Sequence, residues 1–117
     1  MLDLELAKEI EDCAQSLGLD SIIEIHNQEE MKNALNFRSK LIGINNRNLK
    51  DFTVDINNAV VLSRNAHSDK ILISESGICS RADIDFTMNN SSINTFLIGE
   101  SLMKSKDIKI KFKDFIN

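Results

Sequence analysis

The chain has 117 residues, which suits one domain with a modest core. Hydrophobic residues make up 42% and charged residues 27%, a soluble globular balance that excludes a disordered chain. Lys and Arg number 14 against 18 Asp and Glu, for a net charge of −4, and the basic residues are scattered, which argues against a nucleic-acid partner.

Apolar residues at Leu6, Ile10, Cys13, Ala14 and Leu17 follow helical spacing over 4–17, and Gly18 supplies a stop. SIIEIH, Ser21–His26, predicts a first strand. Asn27 with Glu30 forms a capping-box pattern for a second helix, with Met31, Ala34, Leu35 and Phe37 facing inward. Leu41–Asn45 predicts the second strand, followed by a loop through Arg47 to Thr53. A helix over 55–66 then turns Ile56, Ala59, Val60 and Ser63 inward. KILISE, Lys70–Glu75, predicts the third strand. Ser80 with Asp83 caps a helix whose inner face holds Ile84 and Met88. TFLIG, Thr95–Gly99, predicts the fourth strand. In the tail, Ile108, Phe112, Phe115 and Ile116 fit a helix better than the shorter alternation through Ile110 fits a strand.

Strand starts fall about 20 to 30 residues apart, the length of a βα unit. Strict alternation predicts an α/β fold with a parallel sheet. The N-terminal MLDLELAKEIED is acidic and amphipathic, unlike a signal peptide, and no apolar run reaches the ~18 residues of a membrane span, so no membrane partner is expected. Cys13 and Cys79 are far apart and lack neighbouring His or Cys, so no metal site is expected. Both fit reduced thiols in a cytoplasmic protein.

The stretch LIGINNRNL, Leu41–Leu49, ends an apolar strand in two amides and a guanidinium, which a dry core would not accept unpaired. Similar polar groups end the other strands: Glu24 and His26, then Ser74 to Gly77, then Gly99, Glu100 and Ser101. In parallel α/β sheets that edge is where ligands bind. Gly77 and Gly99 follow strands and precede helices, which suits either a phosphate cup built of backbone N–H groups or simply two tight turns. Glu24 and Glu75 are structural ion-pair partners or acid/base groups. Asn45 suits a substrate hydroxyl or carbonyl. Arg47 suits a phosphate or carboxylate, or an ion pair with Glu24. His26 has no evident partner and reads as inert.

The segments IIEIH, LIGINNRNL, ILISESGI and FLIGESLM, in this order and spacing, closely resemble the indole-3-glycerol phosphate synthase family. That resemblance covers essentially the whole chain. It implies a half of a (β/α)₈ TIM barrel of about 250 residues: residues 1–117 as one C-terminal half, units five to eight plus the preceding helix. It also implies ring closure of 1-(2-carboxyphenylamino)-1-deoxyribulose 5-phosphate to indole-3-glycerol phosphate, with loss of carbon dioxide and water, in tryptophan biosynthesis. No cofactor or metal is implied. By resemblance Glu24 is an acid/base carboxylate, Asn45 holds the substrate and Arg47 positions it. Glu75 stabilises positive charge on the anilino nitrogen. Ser76 and Gly77, with Gly99 and Glu100, form the phosphate loops, the Glu100 side chain turning away from the anion.

The family's general-acid lysine lies on the third strand, with a further Glu and Lys on the first, and this chain contains neither strand. Lys40 and Lys70 precede strands and belong at the opposite rim. The chain alone is therefore expected to be inactive. Its expected partners are a phosphorylated small molecule and either an N-terminal half-barrel or a second copy of itself, since a lone half exposes two sheet edges and an apolar face.

Overall fold

Short apolar strands separated by amphipathic helices can be buried only by laying the helices on the sheet. The computed structural model does this; it describes residues 3–66 and 69–117, so His67, to which the sequence assigns no role, lies outside them. The elements are α1 (Leu4–Ser16), β1 (Ile22–Ile25), α2 (Gln28–Ala34), β2 (Leu41–Asn45), α3 (Asn57–Ser63), β3 (Ile71–Glu75), α4 (Arg81–Asn90), β4 (Thr95–Leu97), α5 (Glu100–Met103) and α6 (Ile108–Ile116). The expected alternation holds, with the short α5 added and β4 ending two residues early.

All strand pairs are parallel, and the sheet order is β1-β2-β3-β4. Sequential order matters. Right-handed crossovers between sequential neighbours carry the intervening helices α2, α3 and α4 to the same face, whereas a doubly wound sheet reverses its order and covers both. On the covered face Ile25, Ile42, Ile44 and Leu72 pack with Met31, Ala34, Ala59 and Leu62 in one buried cluster. On the other face Ile22, Leu41 and Ile71 stand in register. Ile22 is 45% exposed, Ile71 47% and Leu97 53%, so this face has an uncovered apolar floor.

Local chemistry explains the helix starts. Asn27 Oδ1 accepts from Glu30 N at 2.9 Å, and Glu30 reaches back to His26 N at 2.8 Å. Asp83 Oδ2 accepts from Cys79 N at 2.8 Å and Ser80 N at 3.1 Å. Asp107 caps α6 through Ile110 N at 3.1 Å. Gly18, at φ +74°, ends α1 in the left-handed region that glycine tolerates.

Three helix faces differ from the periodic expectation. In α1, Leu6, Ile10, Cys13 and Leu17 are exposed, and the buried residue is Glu11. The stripe exists, but among the described residues nothing covers it. In α4, Thr87 is buried in place of Met88, which is 43% exposed; Ile84 and Thr87 are three residues apart and share the inner face. In α6 only Phe115 is buried, packed with Ile78 and Ile84, while Ile108, Phe112 and Ile116 stay exposed.

Glu11 ties α1 to the rest. Its carboxylate accepts from Arg38 N at 2.9 Å and Ser39 N at 3.0 Å, just before β2. Replacing it with Ala leaves two donors without that acceptor, one of them buried. Glu11→Ala should lower unfolding stability by about 1–3 kcal/mol. Urea denaturation followed by circular dichroism measures this, and an unchanged midpoint would show that the latch carries no stability.

Candidate active site at the strand C-termini

The C-terminal rim of the sheet opens into a cleft of about 1130 Å³. Glu24, Asn45, Arg47, Glu75, Ser76, Gly77, Gly99 and Glu100 all line it, so every site residue expected from the sequence reaches one place. Strand parity explains this. Glu24 is in register with Gly43, and Asn45 with Glu75, and residues two apart along a strand share a face.

Asn45 links the rim. Its Nδ2 donates to Glu24 Oε1 at 2.9 Å, and its Oδ1 accepts from Arg47 N at 3.0 Å. The Arg47–Glu24 ion pair, the alternative to ligand binding, does not form. Arg47 Nη2 reaches Glu100 Oε2 at 2.9 Å instead, because Arg47 sits beyond the strand end and spans the cleft toward α5. Its Nε is buried without a hydrogen-bond partner. Glu100 therefore does not turn away: it binds Arg47 and Lys104, and these cations hold its carboxyl below the usual range, the Lys104 hydrogen bond most strongly. Two lysines that strand position did not reveal, Lys104 and Lys111, line the cleft, with Lys111 Nζ donating to Cys79 O. Lys70 lies at the opposite rim as expected, bonded to Phe37 O at 2.9 Å and Ser39 O at 2.8 Å.

His26 is not the partnerless loop residue that the sequence suggests. Its Nδ1 lies 3.2 Å from Glu30 Oε2, and its Nε2 lies 3.3 Å from Glu24 Oε1, off the hydrogen-bonding direction. The partner Glu30 comes from the helix cap, four residues on.

Glu75 is buried at 6% exposure. Burial pushes its carboxyl above the ordinary value of 4.5, the nearby Glu24 charge pushes further in the same direction, and His26 opposes both.

Asn46 is the residue that motif reading left without a role. Parity turns it away from Asn45's face, and it is buried. Its Nδ2 donates to Ser74 Oγ at 3.1 Å and Ser76 O at 3.0 Å, and its Oδ1 accepts from Ala59 N at 3.0 Å. It thus staples the end of β2 to the β3 loop and the start of α3. The signal was present: a second amide directly after a cleft-facing one must point inward and needs partners. The stapled loop is strained. Ser76 has φ +67° and Gly77 φ +78°. For Ser76 such a conformation costs about 1–3 kcal/mol and persists only when its surroundings enforce it. At Gly77 a Cβ would also collide with Val54. Gly99 differs: its φ is −130° and a Cβ there would meet open space, so no steric rule demands glycine. The expected N-terminal donors of α4 are partly used, since Asp83 takes Cys79 N and Ser80 N.

A sequential parallel sheet with polar side chains and strained loops at its C-terminal rim is the arrangement of a (β/α)-barrel. The family model for indole-3-glycerol phosphate synthase matches residues 1–115. The synthase of Polynucleobacter asymbioticus is 44% identical over 106 residues, covering 91% of this chain and 39% of that protein. The synthase of Endomicrobium trichonymphae is 42% identical over 114 residues, covering 97% of this chain and 44% of that protein. The chain belongs to the indole-3-glycerol phosphate synthase family, and it spans about two fifths of the length of these relatives. The four parallel units are accordingly half of an α/β TIM barrel. Among the described residues no helix is long and apolar enough to cross a membrane.

Glu75 gives the site a pH signature. Its native carboxyl holds its proton to higher pH than the unfolded one, so the folded state binds more protons between the two values. The associated stability is fully present below about 4.5 and is lost as pH rises through the raised native value. Urea midpoints measured from pH 4.5 upward should fall with this slope in the wild type and flatten in Glu75→Gln. Parallel profiles for the two proteins would mean that Glu75 is not perturbed.

Proposed function

We propose that this chain is the C-terminal catalytic half of an indole-3-glycerol phosphate synthase in cytoplasmic tryptophan biosynthesis. The observation that carries the reading is the convergence of Glu24, Asn45, Arg47, Glu75 and Ser76 on one cleft in a chain of this family. The substrate is 1-(2-carboxyphenylamino)-1-deoxyribulose 5-phosphate. Ring closure forms a carbon–carbon bond, and carbon dioxide and water leave.

Each residue has a physical task. The strained Ser76–Gly77 turn and the Gly99 turn offer backbone N–H groups to the phosphate, and Arg47 supplies the nearest guanidinium. Glu100 lies in the same cleft, so a dianion must compete with it for Arg47. Asn45, anchored on Glu24, presents its amide to the sugar-derived chain. Glu24 is the more exposed carboxylate and moves protons. Glu75 is desolvated, so its negative charge acts strongly on a cation developing at the anilino nitrogen.

The family's general-acid lysine lies on a strand outside this sequence. Lys104 is occupied by Glu100, and Lys111 by a backbone carbonyl. The chain alone therefore lacks a donor for the substrate carbonyl, a deficit of about 10²–10⁴ for one acid/base group. Its working partner is an N-terminal half-barrel, whose strands would cover Ile22, Ile71 and Leu97. The same uncovered floor supports a second reading, a homodimer of half-barrels that binds phosphate esters without turnover.

The test is an indole-fluorescence assay on this chain alone and mixed with a separately made N-terminal half. The chain contains no Trp or Tyr, so its own background is low. Product should appear only in the mixture and should fall about 10²–10⁴-fold with Glu75→Gln. Product from the chain alone would overturn the need for the missing lysine. A mixture that assembles but yields no product would overturn the synthase reading, and a clean dimer that binds phosphate esters would then favour the second one.

A further inference from the structure

Gly43 lies in the middle of β2, where a glycine weakens a strand and calls for a reason. Its backbone gives none, because its φ lies outside the left-handed region that favours glycine. The reason is space. A Cβ built on Gly43 would overlap Glu75 Oε1, lie 2.7 Å from Glu75 Cδ and 3.0 Å from Ile22 Cγ2. Carbon atoms pack at about 3.5–4.0 Å, so the carboxyl group occupies the volume that any side chain at 43 would need.

Register shows how far Glu75 reaches. Glu75 pairs with Asn45, whereas Gly43 pairs with Glu24 on one side and Ile73 on the other. The Glu75 side chain thus leans back and across β2 while still lining the cleft. It comes to rest facing β1, where Glu24 and His26 are the charged groups that it feels.

We propose that Gly43 is a positioning residue for Glu75: its missing side chain is the seat of the Glu75 carboxylate and sets how closely the two rim carboxylates approach. This deepens the catalytic reading of Glu75 and rests on it for its meaning in turnover, although the seat itself does not depend on that reading. The clash falls on the far end of a flexible side chain, so Gly43→Ala should move the carboxylate rather than the strand.

The experiment is a carbon-13 carboxyl titration by NMR of the 117-residue chain, comparing wild type with Gly43→Ala. The Glu75→Gln chain assigns the resonance, and circular dichroism checks folding. In a folded Gly43→Ala chain the Glu75 carboxyl should titrate lower, toward 4.5, because it gains water and moves off Glu24. A Glu75 titration unmoved by Gly43→Ala overturns the seat. Should Gly43→Ala fail to fold, the test passes to the Gly43→Ala/Glu75→Ala chain. Recovery of the fold upholds the seat, and continued failure overturns it by placing the clash on Ile22. In the barrel completed with the N-terminal half, Gly43→Ala should also shift the pH–rate profile and not merely scale it. Full turnover by Glu75→Gln in that barrel would remove the catalytic reading and leave the titration result intact.

Discussion

The constraint on which the rest depends is the sequential parallel order of the four strands. Right-handed crossovers then place α2, α3 and α4 on one face, and the opposite face is left to strand side chains. That face carries a gradient along the strands. Ile22, Leu41 and Ile71 form an apolar row at the entry end, whereas Glu24, Asn45 and Glu75 stand at the exit end. Ile22 and Ile71 of this row are exposed, because no described element of the chain lies over them. The polar row is already assembled, because its spacing is fixed by hydrogen-bonded register between neighbouring strands and not by closure of the barrel.

Two adjacent amides show how little sequence separates chemistry from scaffolding. Asn45 and Asn46 are neighbours, yet the period of two sends one to the cleft and the other to the helix side. Asn45 joins Glu24 and the Arg47 backbone; Asn46 joins Ser74, Ser76 and Ala59. The second arrangement serves the first. A serine in left-handed conformation would relax if its carbonyl were free, and the Asn46 amide holds that carbonyl. The cleft owes its shape at Ser76 and Gly77 to an amide that never touches it.

Much of this was legible in the sequence, for local reasons. Strand runs, helix caps and glycine stops depend on residues within a few positions of each other, and α2, α4 and β1 to β3 lie where those signals put them. The resemblance carried the site residues to one rim, which strand parity alone also required. The misses share a different cause. The stripe of Leu6, Ile10 and Leu17 is a true helical face, but periodicity does not say whether its partner surface is present. Met88 and Thr87 differ by one helical step, and the helix turns Thr87 inward, where its hydroxyl donates to Asp83 O. The Arg47–Glu100 pair joins β2 to α5 across 53 positions, a distance over which no spacing rule operates. Gly43 was invisible because a glycine inside an apolar strand looks like part of the run, and its meaning lies in the side chain of another strand.

The location of Glu75's perturbation bears on how the chemistry is divided between the two parts of a barrel. The carboxyl is raised chiefly by burial, and that burial is already present within this chain. Glu24, the second cause, is on β1. The raised carboxyl is therefore already a property of this chain by itself. Strands laid over the uncovered face would take more water from it, and desolvation alone would raise Glu75 further. A lysine brought in by those strands would act in the opposite sense, by favouring the charged carboxylate. These two effects have opposite signs on the same titration. The direction in which Glu75 moves on completion of the barrel thus separates a partner that merely covers the face from one that places a cation beside it.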